Sequence, residues 1–360
     1  MSITSEDLSL AQNLVAGFQA RGAARVEAAI LQPADTLLDL YGEDIRARAY
    51  TTADPLRGEQ MLRPDFTVPV VQMHMQASAM PARYTYVGPV FRRQEMDETR
   101  AHEYLQAGYE VFDTDRAAAD AEVLAAIIDA LGPAAGAVVI GDLGVLMSAV
   151  QALPTSDARK NALSRHLWRP KRFETLLARF CGDSNMSASH AALLSPDWQP
   201  SEAEQIGKRQ LSEIEARRKR LLEDRDTPSL PPETAQRFED LLKISGRPHA
   251  ALKDLRALGA KMPGLDQALD RFRARLDAFE AAGIDLSALA FDASHGRDSM
   301  EYYDGFVFSV FGKNADRFAA PLATGGRYDA LTTALGGGQD IPAVGGVVRP
   351  SDLREALSHD

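Results

Sequence analysis

The sequence predicts an α+β fold, with an antiparallel sheet flanked by helices and split by a long helical insertion. Three observations carry this expectation. From Arg83 to Phe112 apolar and polar residues alternate with the period of paired strands. From about Pro154 to Gly283 the β-branched runs vanish, charges multiply and a period of three to four takes over. Short strands then return up to Val348, without the strand–helix–strand rhythm of a parallel sheet. The chain therefore divides into a sheet domain at 1–150 and 286–360 and a mostly helical insertion at 151–285.

Each element has a local reason. Ser5 before Glu6 and Asp7 starts a helix, since a hydroxyl can cap the first amides and acids complement their partial charge. Leu10, Leu14 and Phe18 continue its apolar stripe to Gly22. Arg25 to Pro33 is an extended run closed by a proline, and Asp35 caps a short helix through Leu40. Tyr50 to Arg63 holds one or two strands around a turn at Asp54 to Gly58. Val68, Val71 and Met75 mark a helix, as do Val123, Leu124, Ile127, Ile128 and Leu131 between Asp113/Thr114 and Gly132-Pro133. Ala137 to Ile140 reads as a buried strand. In the insertion, Leu265, Leu269, Phe272, Leu276 and Phe279 form the clearest amphipathic stripe, while 183–200 and 226–232 read as loops. Ala288 to Asp292, Tyr302 to Phe311 and Pro342 to Val348 are strands, and Leu322 to Asp329 turns from strand into helix.

Composition excludes several function classes. There are 51 acidic and 40 basic residues, a net charge of −11, which argues against broad nucleic-acid binding. The single Cys181 leaves no internal disulfide or multi-cysteine metal site, and the seven histidines are scattered. No apolar run reaches membrane-spanning length and no basic region leads an apolar one, so a soluble cytoplasmic protein is expected. The basic runs Arg165 to Arg172 and Arg217 to Arg220 fit solvated helix faces, with phosphate contact as the other reading.

The strand pair carries the chemistry. Gln106, Gly108 and Glu110 share one face, and Leu105, Ala107, Tyr109 and Val111 the other. Two polar groups flanking a residue without a side chain leave a hollow lined by an amide and a carboxylate, faced by Gly88, Val90 and Arg92. An arginine there would grip a carboxylate with two hydrogen bonds. A half-exposed sheet with a surface ion pair fits the same spacing.

Three stretches together, Leu62-Arg-Pro-Asp-Phe-Thr67, Gly88-Pro-Val-Phe-Arg-Arg…Gln106-Ala-Gly-Tyr-Glu-Val-Phe112 and Gly325-Gly-Arg-Tyr-Asp329, resemble the catalytic domain of histidyl-tRNA synthetase, a class II aminoacyl-tRNA synthetase. That resemblance implies a class II antiparallel sheet and a histidine pocket. Asp65 stands where the family has a glutamate for the α-ammonium group, with Thr67 beside it. Gln106 matches a glutamine that holds the amino acid, Glu110 the carboxylate that binds the imidazole, and Tyr303 a tyrosine across the ring. Arg92 completes the set as the cation for the ligand carboxylate.

The nucleotide machinery departs from the family's pattern. The acidic residue of Phe-Arg-x-Glu is Gln94, a later loop arginine is His102, and the arginine before the Tyr-Tyr pair aligns with Asp298, with Arg297 one place away. The arginine that would contact ATP aligns with Asp352, and a carboxylate there reverses the electrostatics that adenylyl transfer needs. The chain stops at Asp360, before an anticodon-reading domain. An amino-acid pocket kept while the ATP and tRNA sites are lost resembles the regulatory subunits of ATP phosphoribosyltransferase. This resemblance implies no catalytic residue, cofactor or metal. It implies a short-form catalytic subunit as partner, L-histidine as effector, and a homodimer core built on the Val26–Pro33 segment within a hetero-oligomer. A degenerate synthetase that still activates an amino acid, and an RNA-binding paralogue, are the competing expectations.

Overall fold

The computed structural model describes residues 3–35, 49–77, 79–93, 101–182, 188–200, 210–297, 302–313 and 320–358. Helix α1 (Ser5–Ala20) begins one residue after its cap, because the Thr4 hydroxyl, rather than that of Ser5, accepts from the Asp7 amide. The run from Arg25 to Pro33 is not one strand. It breaks into β1 (Ala24–Arg25) and β2 (Leu31–Pro33), which join different sheets. The expected helix from Asp35 to Leu40 falls almost wholly outside the described residues. β3 (Thr51–Asp54) and β4 (Gly58–Leu62) form a hairpin whose turn is held by the Asp54 carboxylate, which accepts from the Leu56 and Arg57 amides. Helix α2 (Thr67–Ala77) leads to the long pair β5 (Ala82–Phe91) and β6 (Glu103–Phe112). Helix α3 (Arg116–Leu131) is capped by Asp115, beyond the expected Asp113 and Thr114, and β7 (Ala135–Asp142) follows.

Among its described residues, the segment between β7 and β9 is mostly helix: α4 (Leu143–Gln151), α5 (Asp157–Ser164), α6 (Pro170–Phe180), α7 (Ala188–Leu193), α8 (Leu211–Asp226), α9 (Glu233–Leu242), the two-residue β8 (Ser245–Gly246), α10 (Pro248–Gly259) and α11 (Asp266–Ala281). Helix α7 lies where the Ser- and Asn-containing composition suggested only loop. Strands β9 (Leu289–Asp292), β10 (Phe306–Gly312) and β11 (Ala323–Arg327), helix α12 (Asp329–Leu335), strand β12 (Ala343–Val348) and helix α13 (Pro350–Ser358) complete the chain. Tyr302 and Tyr303 precede β10 rather than belonging to it.

The main sheet has nine strands in the order β1-β5-β6-β12-β11-β10-β7-β9-β8, and β2-β4-β3 form a small second sheet. The pairings of the main sheet are antiparallel except β1 with β5 and β7 with β9. A parallel neighbour cannot be reached by a tight turn, and the helical segment supplies the crossover from β7 to β9. Apolar clusters cover both faces. One packs Phe18, Tyr109, Ile127 and Phe308 with the insertion helices; the other packs Phe66, Tyr86, Phe112, Tyr303 and Tyr328. β6 is therefore buried on both sides, with Gln106 and Glu110 as inaccessible as Ala107 and Tyr109. The half-exposed reading fails for β6 on that ground, while β5 stays part-exposed at alternate positions.

Candidate functional site

Strand register builds the site. Across β5 and β6, Tyr84 pairs with Glu110, Tyr86 with Gly108 and Gly88 with Gln106. These residues share one face. The space above Gly108 is not hollow: a Cβ there would lie 2.1 Å from the Tyr86 ring, so the missing side chain makes room for that tyrosine. The Tyr86 hydroxyl donates to Glu110 Oε1 at 2.8 Å, and the Tyr328 hydroxyl donates to Oε2 at 2.7 Å. Space for the carboxylate comes from β12, where a Cβ on Gly345 would lie 1.4 Å from Glu110 Oε2. Gly326 on β11 plays the same part under the Tyr303 ring, with a Cβ position 2.8 Å away.

Glu110 is fully buried, and burial pushes its carboxyl up to about 7 against the pull of the two tyrosines. Burial and the Glu110 charge raise Tyr86, Tyr303 and Tyr328 in turn. Asp65 also adds to the field at both Glu110 and Tyr303. Its Oδ1 accepts from the Thr67 amide at 3.1 Å, fixing the first turn of α2, and its Oδ2 lies 3.8 Å from Arg92 Nη2. Thr67 accepts from the Tyr302 hydroxyl at 3.3 Å, and the Tyr302 and Tyr303 rings meet edge to face at 4.9 Å. Arg92 is steadied by the Pro64 carbonyl at 2.8 Å. Gln106 is 1% exposed, and its Oε1 has no hydrogen-bond partner among the described residues. A buried acceptor of this kind is suited to a ligand N–H.

Asp65, Thr67, Arg92, Glu110 and Tyr303 thus converge, with Gln106 two positions before Gly108 on the same face. The groups could hold a zwitterion carrying a ring with N–H groups: acceptors for the ammonium, one cation for the carboxylate, and a carboxylate with tyrosines around the ring. Arg297 is held on the insertion side. Its Nε donates to the Leu167 carbonyl at 2.9 Å and its guanidinium lies over Phe173 of α6, facing the insertion. His102 hydrogen-bonds to the Tyr50 hydroxyl, and Asp352 lies in the first turn of α13. Gln94 and Asp298 lie outside the described residues. Also among the described residues, no three His, Cys, Asp or Glu side chains are placed to hold a metal, and no helix is long and apolar enough to cross a membrane.

Comparison with known proteins shows the family and the fold. The model of the histidyl-tRNA synthetase family matches residues 5–226 and 201–353. The ATP phosphoribosyltransferase regulatory subunit of Mesorhizobium japonicum is 33% identical over 98% of this chain and all of its own length. That of Agrobacterium fabrum is 35% identical over 93% of each chain. The chain belongs to the family of ATP phosphoribosyltransferase regulatory subunits. Among solved structures, an ATP phosphoribosyltransferase regulatory subunit/histidyl-tRNA synthetase from Bacillus halodurans superposes with a TM-score of 0.70 at 22% identity, covering 99% of this chain and 82% of that one. The histidyl-tRNA synthetase of Nostoc gives 0.63 at 17%, covering 100% and 75%. The class II synthetase-like fold follows from these matches.

In this family member the sequence reading missed both tyrosines that hold Glu110. Tyr328 stood inside the Gly-Gly-Arg-Tyr-Asp phrase without a role. Tyr86 needed the strand register, since only the pairing with Gly108 shows why a large ring fits there. A second omission lies behind Tyr328. Arg327 donates from Nη2 to Asp120 at 2.6 Å, and Arg275 of α11 donates to Asp120 at 2.7 Å and to Asp142 at 2.6 Å. This buried network fastens the insertion and α3 to the strand that delivers Tyr328.

Proposed function

We propose that the chain is the non-catalytic regulatory subunit that activates a short-form ATP phosphoribosyltransferase at the first step of L-histidine biosynthesis, and that it senses L-histidine. The observation that carries this is the match, over nearly the full length of both chains, to curated proteins named as that regulatory subunit. The pocket supports the choice of effector. The histidine ammonium meets Asp65, Thr67 and Gln106, the carboxylate meets Arg92, and the imidazole lies between Glu110 and Tyr303. The protein works in the cytoplasm without cofactor or metal, and a homodimer core forms through the 26–33 segment, with catalytic subunits attached outside it.

Mixed with a short-form catalytic subunit, the protein should form a stable hetero-oligomer by light scattering; two separate species would end this reading. Alone, it should not exchange pyrophosphate into ATP in the presence of histidine. Asp352→Arg should not create that activity, because catalytic groups that act as a unit are strongly non-additive. Histidine-dependent exchange above background would instead make it a synthetase.

A further inference from the structure

Arg63 is 4% exposed, and no carboxylate pairs with it among the described residues. Burial alone lowers its pKa. The guanidinium is held by main-chain dipoles and a ring: Nε donates to Pro89 O at 2.9 Å, Nη1 donates to Ala28 O, and the group lies 4.0 Å over Phe66. Gly88 admits it, since a Cβ there would lie 2.5 Å from Nη2. Phe66 is stacked on Tyr86 at 4.3 Å, with the planes 10° apart, and Tyr86 donates to Glu110. On its other side, the Arg63 amide donates to Ile30 O at 2.8 Å, and the Ile30 and Leu31 side chains are 43% and 46% exposed at the edge of the small sheet.

A continuous set of contacts therefore runs from the edge segment through Arg63, Phe66 and Tyr86 to the buried carboxylate. A cation buried against carbonyl oxygens and a ring face has a fixed place, because moving it would forfeit several contacts without a carboxylate to recover them. We propose that Arg63 is a positioning residue: it sets the Tyr86–Glu110 wall of the pocket and ties the state of that wall to the segment from Ala28 to Pro33. Occupation of the pocket then changes the order of that segment, whose Ile30 and Leu31 are exposed in the single chain and lie in the homodimer seam proposed above. Lysine cannot replace arginine here, since one ammonium cannot reach both carbonyls while lying flat on Phe66.

The experiment is hydrogen–deuterium exchange at the Ile30, Leu31 and Gln32 amides, with histidine affinity measured by calorimetry on the same samples. Histidine at saturation should slow these amides at least about threefold in the wild type and leave them unchanged in Arg63→Lys. The variant should still bind, about tenfold more weakly. Because that comparison needs histidine to occupy the pocket proposed above, a second is made without ligand. Glu110→Gln should alter exchange at the same amides in the wild-type background and not in the Arg63→Lys background. Histidine binding with no change at 30–32, or a change that survives in Arg63→Lys, overturns the role of Arg63 and leaves the pocket standing. Absence of histidine binding removes the pocket reading instead, and the ligand-free comparison then decides alone. Should Arg63→Lys fail to fold, Phe66→Leu interrupts the same path one contact further on and is held to the same outcomes.

Discussion

Glu110→Gln should stabilise the ligand-free protein at pH 8 and at the same time remove most of its affinity for histidine. Burial raises the Glu110 carboxyl from 4.5 to about 7, so the folded state holds its proton more tightly than the unfolded chain does. The resulting stability is fully present below about pH 4.5 and is lost as the pH rises through about 7, where the buried group ionises. At pH 8 the wild type carries that cost, of about 3 kcal/mol, and the amide does not. Thermal melts should show the wild type losing stability between pH 5 and 8 more steeply than the variant. Binding moves the other way. Replacing a buried charged acceptor of the imidazole N–H by a neutral amide costs about 1.5–3 kcal/mol, about tenfold or more in affinity. A structural carboxylate would give the opposite sign in the melt, and a variant that binds histidine as tightly as the wild type would show the pocket to be misplaced.

Asp120→Ala should be the most destabilising single truncation in the core. Its carboxylate is 1% exposed and accepts from Arg275 and from two nitrogens of Arg327, both buried. Removing it leaves two guanidinium groups close together in the interior, with Asp142, Asp329 and the Arg116 carbonyl left among the described residues to compensate. Breaking a buried pair from one side costs about 3–5 kcal/mol. Urea unfolding should show this as a lower midpoint. Because Arg327 directly precedes Tyr328, the variant should also bind histidine more weakly at temperatures where it is folded. A loss below about 1 kcal/mol would mean that the network contributes little, as surface ion pairs do.

The difference between what was legible in the sequence and what was not follows the range of the interactions. The hairpin at 83–112, the stripe from Leu265 to Phe279 and the strand-to-helix turn at Gly325 to Asp329 are written in local periodicity, and they fold as read. Strand 288–292 and the turn at Asp54 are equally local. The Asp120 network joins residues 155 and 207 positions apart, and no period carries such a contact. The same holds for Tyr328, which is 218 residues from the carboxylate it holds. Glycine was legible in kind but not in purpose. The sequence suggests a hollow above Gly108, whereas the neighbouring strand fills that place with Tyr86, and the space for the carboxylate comes from Gly345. Helix α7 is hidden because Ser- and Asn-containing composition weighs towards loops, and α13 because its short stretch after Pro350 has too few turns to show a period. Of the residues that the resemblance implies, Asp65, Thr67, Glu110 and Tyr303 meet at one place, with Arg92 from the strand reading beside Asp65 and Gln106 on the same face of β6.

The measurement that bears most directly on the whole account is phosphoribosyl transfer by a short-form catalytic subunit, with this protein added and histidine titrated. The wild type should raise the basal rate, and histidine should then lower it with a coupling of about 1–3 kcal/mol, a 5–150-fold range of control. Glu110→Gln should raise the rate equally and resist histidine. A wild type that leaves the basal rate unchanged would contradict the regulatory role, and equal inhibition of wild type and variant would place the histidine sensor elsewhere.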